Sequence, residues 1–134
     1  MARAACLACL LALVLAGACT RTPDTARSSE HDQARFVGTW RRTDADYVLR
    51  VTAATGSNGM RVEYLNPRSI HVSRSEVRQA AEGPELTVVL NDTGYPGSTY
   101  TLRHNTTQDT LEGVYFHAGL GRPFDIAFVR DIGP

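Results

Sequence analysis

From Phe36 onward the chain alternates apolar and polar side chains with a period of two, in short runs interrupted by turn residues. A period of two sends successive side chains to opposite faces of an extended backbone, so each run describes a strand with one face toward a core. The alternation is clearest in Tyr47-Leu49-Val51, Met60-Val62-Tyr64, Leu86-Val88-Leu90 and Phe124-Ile126-Phe128. Between the runs stand Gly56-Ser57-Asn58-Gly59, Asn66-Pro67, Gly83-Pro84, Gly94-Tyr95-Pro96-Gly97, Asn105 to Asp109 and Gly119 to Pro123. Gly and Pro in these clusters supply the positive or fixed φ that tight turns require. The pattern predicts eight strands, at 37–42, 46–53, 59–65, 69–80, 85–91, 98–104, 110–117 and 123–130. Residues 72–81 also admit a helical turn.

All the connections are short, so strands adjacent in sequence should pair antiparallel. A meander of this kind with one apolar face removes its exposed edges by closing on itself. The expected fold is therefore all-β, an eight-stranded antiparallel meander closed as a small barrel. With eight strands the interior is either filled by side chains or wide enough for one small ligand.

The chain ahead of the strands divides in two. Met1-Ala2-Arg3, the apolar run Leu10-Leu11-Ala12-Leu13-Val14-Leu15 and the small residues Ala16-Gly17-Ala18 have the layout of a secretory signal. That apolar run falls short of the roughly 20 residues that span a bilayer. Ending on Cys19, the segment resembles the bacterial lipoprotein signal, in which this cysteine is diacylated and becomes the new N-terminus. The resemblance implies a signal peptide at 1–18 and a lipid anchor on Cys19. It also implies a cell-envelope address, which Thr20 directs to the outer membrane, facing the periplasm, in a Gram-negative cell. Two acyl chains anchor a protein stably where one is marginal. Cys6 and Cys9 leave with the signal, so the mature domain has no thiol with which to build a disulfide framework.

Residues 19–35 contain no large apolar side chain and are expected to be a flexible tether, with His31 a solvated tail residue. The domain proper then covers 36–134. The formal net charge is zero and every basic residue is Arg, with Arg41-Arg42 the densest pair. Nucleic-acid binding needs a concentrated positive face and has no support here.

The opening Phe36-Val37-Gly38-Thr39-Trp40 resembles the first strand of the lipocalin, fatty-acid-binding and avidin group of barrels, where a Gly-x-Trp pattern begins the barrel. In that group the Trp packs beneath a basic residue of the last strand, which implies a structural pair of Trp40 and Arg130 here. The chain departs from the group in two ways. Thr43-Asp44-Ala45 leads straight into a strand where fatty-acid-binding proteins place two helices, and avidins carry several Trp where this chain has one. Neither ligand is carried over. The segments Tyr64-Leu65-Asn66-Pro67 and Tyr95-Pro96-Gly97-Ser98-Thr99-Tyr100 also look like stretches of secreted bacterial proteins, a resemblance that brings no function with it.

Strand alternation sorts the loops onto two ends. The end where the tether enters collects 55–58, 81–84 and 105–109, which are small and polar. The far end collects 43–45, 66–68, 92–97 and 118–122, richer in Tyr, Arg, His, Pro and Gly and flanked by Arg42, His71 and His117. Such residues build recognition surfaces on a rigid scaffold. A partner-binding site is therefore expected around Arg68, His71, Tyr95, His117 and Arg122. If the barrel is hollow, inward Tyr47, Tyr64 and Tyr100 are expected to give polar handles to a small apolar or amphipathic ligand. A filled barrel would act instead as a protein-interaction module through the far-end loops, in the manner of small protease inhibitors or envelope assembly factors.

Catalysis and metal binding have little in the sequence to carry them. Ser69, Ser73, Ser75 and Ser98 lack a nucleophile-elbow context. His104 and His117 belong at opposite ends, and no Cys or carboxylate joins His71 and His117 at ligand spacing. The expected protein is non-catalytic and has no cofactor.

Overall fold

A computed structural model of the chain describes residues 23–54 and 59–133. The signal at 1–18, the lipidation candidate Cys19 and the turn at 55–58 lie outside the described residues.

Nine strands stand among the described residues, all antiparallel: β1 (Gly38–Arg42), β2 (Val48–Ala53), β3 (Met60–Asn66), β4 (Arg68–Ile70), β5 (Val72–Ala80), β6 (Gly83–Asp92), β7 (Tyr95–Asn105), β8 (Thr110–His117) and β9 (Arg122–Arg130). Their order across the sheet is β4-β3-β2-β1-β9-β8-β7-β6-β5, a meander brought round so that β1 lies beside β9. The extra strand arises because the expected run 69–80 divides at His71. Its first part, β4, pairs with β3 through Tyr64 opposite Ile70. Its second part, β5, turns to pair with β6, with a register shift between Val72 and Arg74. No helical turn forms there.

This divided strand nearly closes the barrel. β4 holds the upper part of β3, and lower down β5 bridges the residue just before β3, through Glu76 opposite Gly59. The Ser75 hydroxyl donates to the Met60 carbonyl beside that bridge. One bent strand thus serves both edges of the seam, and the bulge absorbs its change of partner.

The polar stretch expected to be an unstructured tether instead contains a helix, α1 (Pro23–Ala34). Pro23 suits a first helical position because its missing N–H has no intrahelical acceptor to lose. His31 stands in the last turn of the helix. The helix is tied to the base of the barrel rather than left in solvent: Gln33 is buried, and the Gln79 amide of β5 donates to the Asp32 carboxylate. His31 is exposed, as a solvated residue would be.

Directly after α1, Phe36 enters the core with no exposed surface, and its carbonyl accepts the Trp40 indole N–H at 2.8 Å. Phe36, Trp40, Val51, Leu86, Leu111 and Phe128 are buried among the residues that fill this half of the barrel. Arg130, directly opposite Trp40 across the β1/β9 ladder, sets its guanidinium 4.0 Å over the indole ring. A contact of this kind contributes about 0.5 to 2 kcal/mol. It requires a glycine at 38, where a Cβ would lie 2.3 Å from Arg130 Nη1.

Arg130 is held over the ring from outside. It donates to the Val37 carbonyl at 2.8 Å and makes a two-pronged contact with the Asp109 carboxylate at 2.6 and 3.0 Å. His104, edge-on to Trp40, places Nε2 2.7 Å from the same carboxylate. Hydrogen bonds from Arg130 and His104 pull the Asp109 carboxyl down to about 2. The folded state therefore binds its proton less readily than the unfolded chain. The stabilisation is in place above about pH 4, the ordinary carboxylate range, and is lost as pH falls from there toward 2. Asp109→Asn, which keeps a side chain tolerant of the positive φ at this position (φ 50°), should flatten that limb. Urea midpoints of the wild type and the variant should converge between pH 4 and 2; parallel curves would remove the base cluster from acid stability.

Candidate functional site

The other end of the barrel is open. A cavity of about 480 Å³ opens between the far-end loops, lined by Arg42, Asp44, Ala45, Tyr47, Tyr64, Asn66, Gly94, Tyr95, Tyr115, His117 and Phe124. The volume lies within the range of about 300 to 1,000 Å³ common for small-molecule sites. Strand alternation explains the lining. Tyr64 on β3, Tyr115 on β8 and Phe124 on β9 take inward positions nearer the open end than the core leucines, while Tyr47 precedes β2 and Tyr95 opens β7.

All five tyrosines of the chain meet here. Tyr64 packs edge-on to Tyr47 at 6.1 Å between centroids and to Tyr95 at 6.2 Å. Tyr100 lies against Tyr64 at 5.5 Å and stacks on Tyr115 at 4.5 Å. The Tyr64 and Tyr100 hydroxyls are 3.0 Å apart and buried. Burial pushes the Tyr100 hydroxyl up to about 12 and the Tyr64 hydroxyl well above its ordinary range, with the neighbouring tyrosine adding to the rise at Tyr64. Both are neutral at physiological pH. Tyr95 is also raised, first by desolvation. The Asn66 amide donates to its hydroxyl.

Arg42, at the end of β1, is the charged centre of the site. Its side chain retains only 10% of its exposure. The Asp44 carboxylate takes Nε at 2.6 Å and Nη2 at 3.0 Å, and Nη1 donates to the Tyr100 hydroxyl at 3.3 Å. The guanidinium lies 5.3 Å from the Tyr47 ring and 5.8 Å from the Tyr115 ring. Burial alone would lower its pKa; Asp44 and Tyr100 outweigh burial and raise it.

The structure brings together some of the residues expected from sequence and separates others. Tyr47 and Tyr64 line the cavity, whereas Tyr100 has no exposed surface and lies behind the lining, against Tyr64 and Tyr115. Tyr95 and His117, expected on an outer partner surface, are lining residues. Arg68, His71 and Arg122 are exposed and lie outside the lining. Arg122 sits 4.8 Å over the Phe124 ring, so it supports the lip of the cavity. The His71 backbone N–H donates to Asp92 at 2.8 Å, the main reason that carboxyl is held below its usual range. Among the described residues no three His, Cys, Asp or Glu side chains are grouped to hold a metal ion.

Arg42, Asp44, Ala45, Asn66, Gly94, Tyr115 and Phe124 are lining residues that sequence reasoning did not single out for the site. Arg42 read as a loop flank because a basic pair at a strand end normally faces solvent. The signal that could have found it is its parity with Trp40, which puts it on the inward face.

Compared with protein families, with curated proteins and with solved structures, the chain matches none.

Proposed function

We propose that this protein is a lipid-anchored cell-envelope barrel that binds a small apolar or amphipathic molecule in its far-end cavity, without catalysis. The cavity carries the reading: about 480 Å³ walled by Tyr47, Tyr64, Tyr95, Tyr115 and Phe124, above a filled base. Aromatic walls with a few convergent polar groups bury most of a small ligand and fix its orientation. The opposite end is filled by core side chains including Phe36, Trp40 and Phe128, which leaves the far-end loops as the entry. The envelope address rests on the Cys19 signal; a chain tethered from its N-terminus presents the far end away from the membrane.

The experiment is native mass spectrometry of the mature chain purified from a secreting bacterial host, beside Ala45→Trp. Ala45 sits in the loop before β2 and lines the mouth, so a Trp there, with its 150 to 250 Å² of ring surface, fills the entrance. The wild type is expected to carry a reproducible added mass of a few hundred daltons (roughly the size such a pocket admits) and Ala45→Trp to lose it. A clean mass from both proteins would shift attention to Arg68, His71 and Arg122 as contacts for a protein partner. The same spectra test the anchor, since the wild type should show acyl chains that Cys19→Ser lacks.

A further inference from the structure

The hydrogen-bonding groups around the cavity are strongly one-sided. Arg42 has five N–H groups, of which three are engaged: two with Asp44 and one with the Tyr100 hydroxyl. Two remain on the Nη edge. The Tyr95 hydroxyl accepts from Asn66, so its own proton is available to donate. His117 Nδ1 accepts the Leu120 N–H at 3.2 Å, which places the neutral ring's proton on Nε2 as a further donor. Burial holds the Tyr64 and Tyr100 hydroxyls protonated, so neither serves as an anionic acceptor. Against these donors stand the Asn66 side-chain carbonyl, the lining tyrosine hydroxyls, which accept as well as donate, and a single carboxylate, Asp44, paired with Arg42.

We infer that the cavity takes a ligand whose polar end is an acceptor-only oxyanion, a carboxylate on an aryl or alkyl body, docked on the Arg42 guanidinium, with Asp44 as the internal carboxylate it competes against. The inference rests on the cavity being a binding site. Arg42 suits the task because its planar fork matches a carboxylate with two parallel hydrogen bonds, which a point-charge ammonium does not. Its guanidinium, largely buried and over the Tyr47 and Tyr115 rings, lets the charged head be desolvated while the body lies on aromatic walls. Asp44 is suited to yield. It stands on the loop between β1 and β2 with 59% of its side chain exposed, so release returns it to water at little cost in burial. An ammonium ligand would meet the like charge of Arg42, and the one lining carboxylate, Asp44, is already neutralised by that arginine.

Three matched probes test this by calorimetric titration of the mature protein: 2-naphthoate, its methyl ester and naphthalen-2-ylmethylammonium. The naphthoate is expected to bind at least about tenfold more tightly than the ammonium, a modest demand on a charge-assisted fork. Asp44→Asn should tighten the naphthoate roughly threefold or more and leave the ester unchanged, because only the anion competes with Asp44. Arg42→Met should weaken the naphthoate about tenfold and leave the ester within about twofold. If Arg42→Met fails to fold, Asp44→Asn decides alone, since an exposed loop carboxylate is not needed for the core. Equal or tighter binding of the ammonium, or a naphthoate affinity indifferent to Asp44→Asn, overturns the carboxylate assignment while ester binding upholds the cavity. Absence of binding by all three probes would instead bring down the proposed function itself.

Discussion

Gly113→Ala should be among the most damaging single-methyl changes available in this protein. Gly113 lies in β8 opposite Leu102 of β7, in the ladder that joins the two strands from Thr99 to Asn105. A Cβ there would stand 2.0 Å from the Thr101 carbonyl oxygen and 3.0 Å from its carbonyl carbon. Those are backbone atoms within a hydrogen-bonded ladder and cannot rotate aside. The strands would have to part, and overpacking of this kind costs about 3 kcal/mol or more when the neighbour is rigid. For a domain of this size each kcal/mol lowers the melting temperature by roughly 4 to 8 °C, so a loss of about 12 to 24 °C is expected. Gly94→Ala is the control. Gly94 also has a positive φ (84°), but a Cβ there would meet nothing within 4 Å. Its cost should be the backbone strain alone, about 1 kcal/mol. If the two variants melt within a few degrees of each other, the close approach of β7 and β8 is not what requires glycine.

The same two strands show what the sequence could and could not reveal. Alternation in β7 places Ser98, Tyr100 and Leu102 inward, and all three are buried. The meander, its pairing order and the two groups of loops follow from such patterns together with turn chemistry. The division of the fourth strand at His71 was not legible. The residues on either side remain extended, and only the need to close a curved sheet makes them change partner. The helix Pro23–Ala34 was missed for a related reason. Its composition offers no apolar face of its own, and what orders it is tertiary: Gln33 and Phe36 enter the base of the barrel and Asp32 meets Gln79. The tyrosines could be assigned to the interior one strand at a time. Whether their rings leave a cavity depends on tilts and on how deeply Arg42 is drawn in, and neither is written in the order of residues.

Tyr100 separates the two halves of this barrel, and its replacement should distinguish holding the fold from holding the ligand. Its ring stacks on Tyr115 at 4.5 Å and meets Phe128 edge-on at 5.6 Å, with no exposed surface. Truncation to Ala should cost about 3 to 5 kcal/mol, as for other fully buried aromatic side chains. A fall of roughly 12 to 40 °C in melting temperature follows at the same 4 to 8 °C per kcal/mol. Tyr100→Phe keeps the ring and removes only the hydroxyl, which contacts Tyr64 at 3.0 Å and Arg42 at 3.3 Å. Losing it leaves a buried Tyr64 hydroxyl without this partner, a cost of about 1 to 2 kcal/mol. Because Tyr100 lies behind the lining, its Phe variant should hold the proposed ligand nearly as well as the wild type. Tyr64→Phe changes a wall of the cavity and should weaken capture more than it weakens the fold. Thermal melts set beside native mass spectra of the two Phe variants make the comparison. The opposite ranking, with Tyr100→Phe emptying the cavity and Tyr64→Phe leaving it full, would mean that the ligand reaches past the Tyr64 hydroxyl into the buried core.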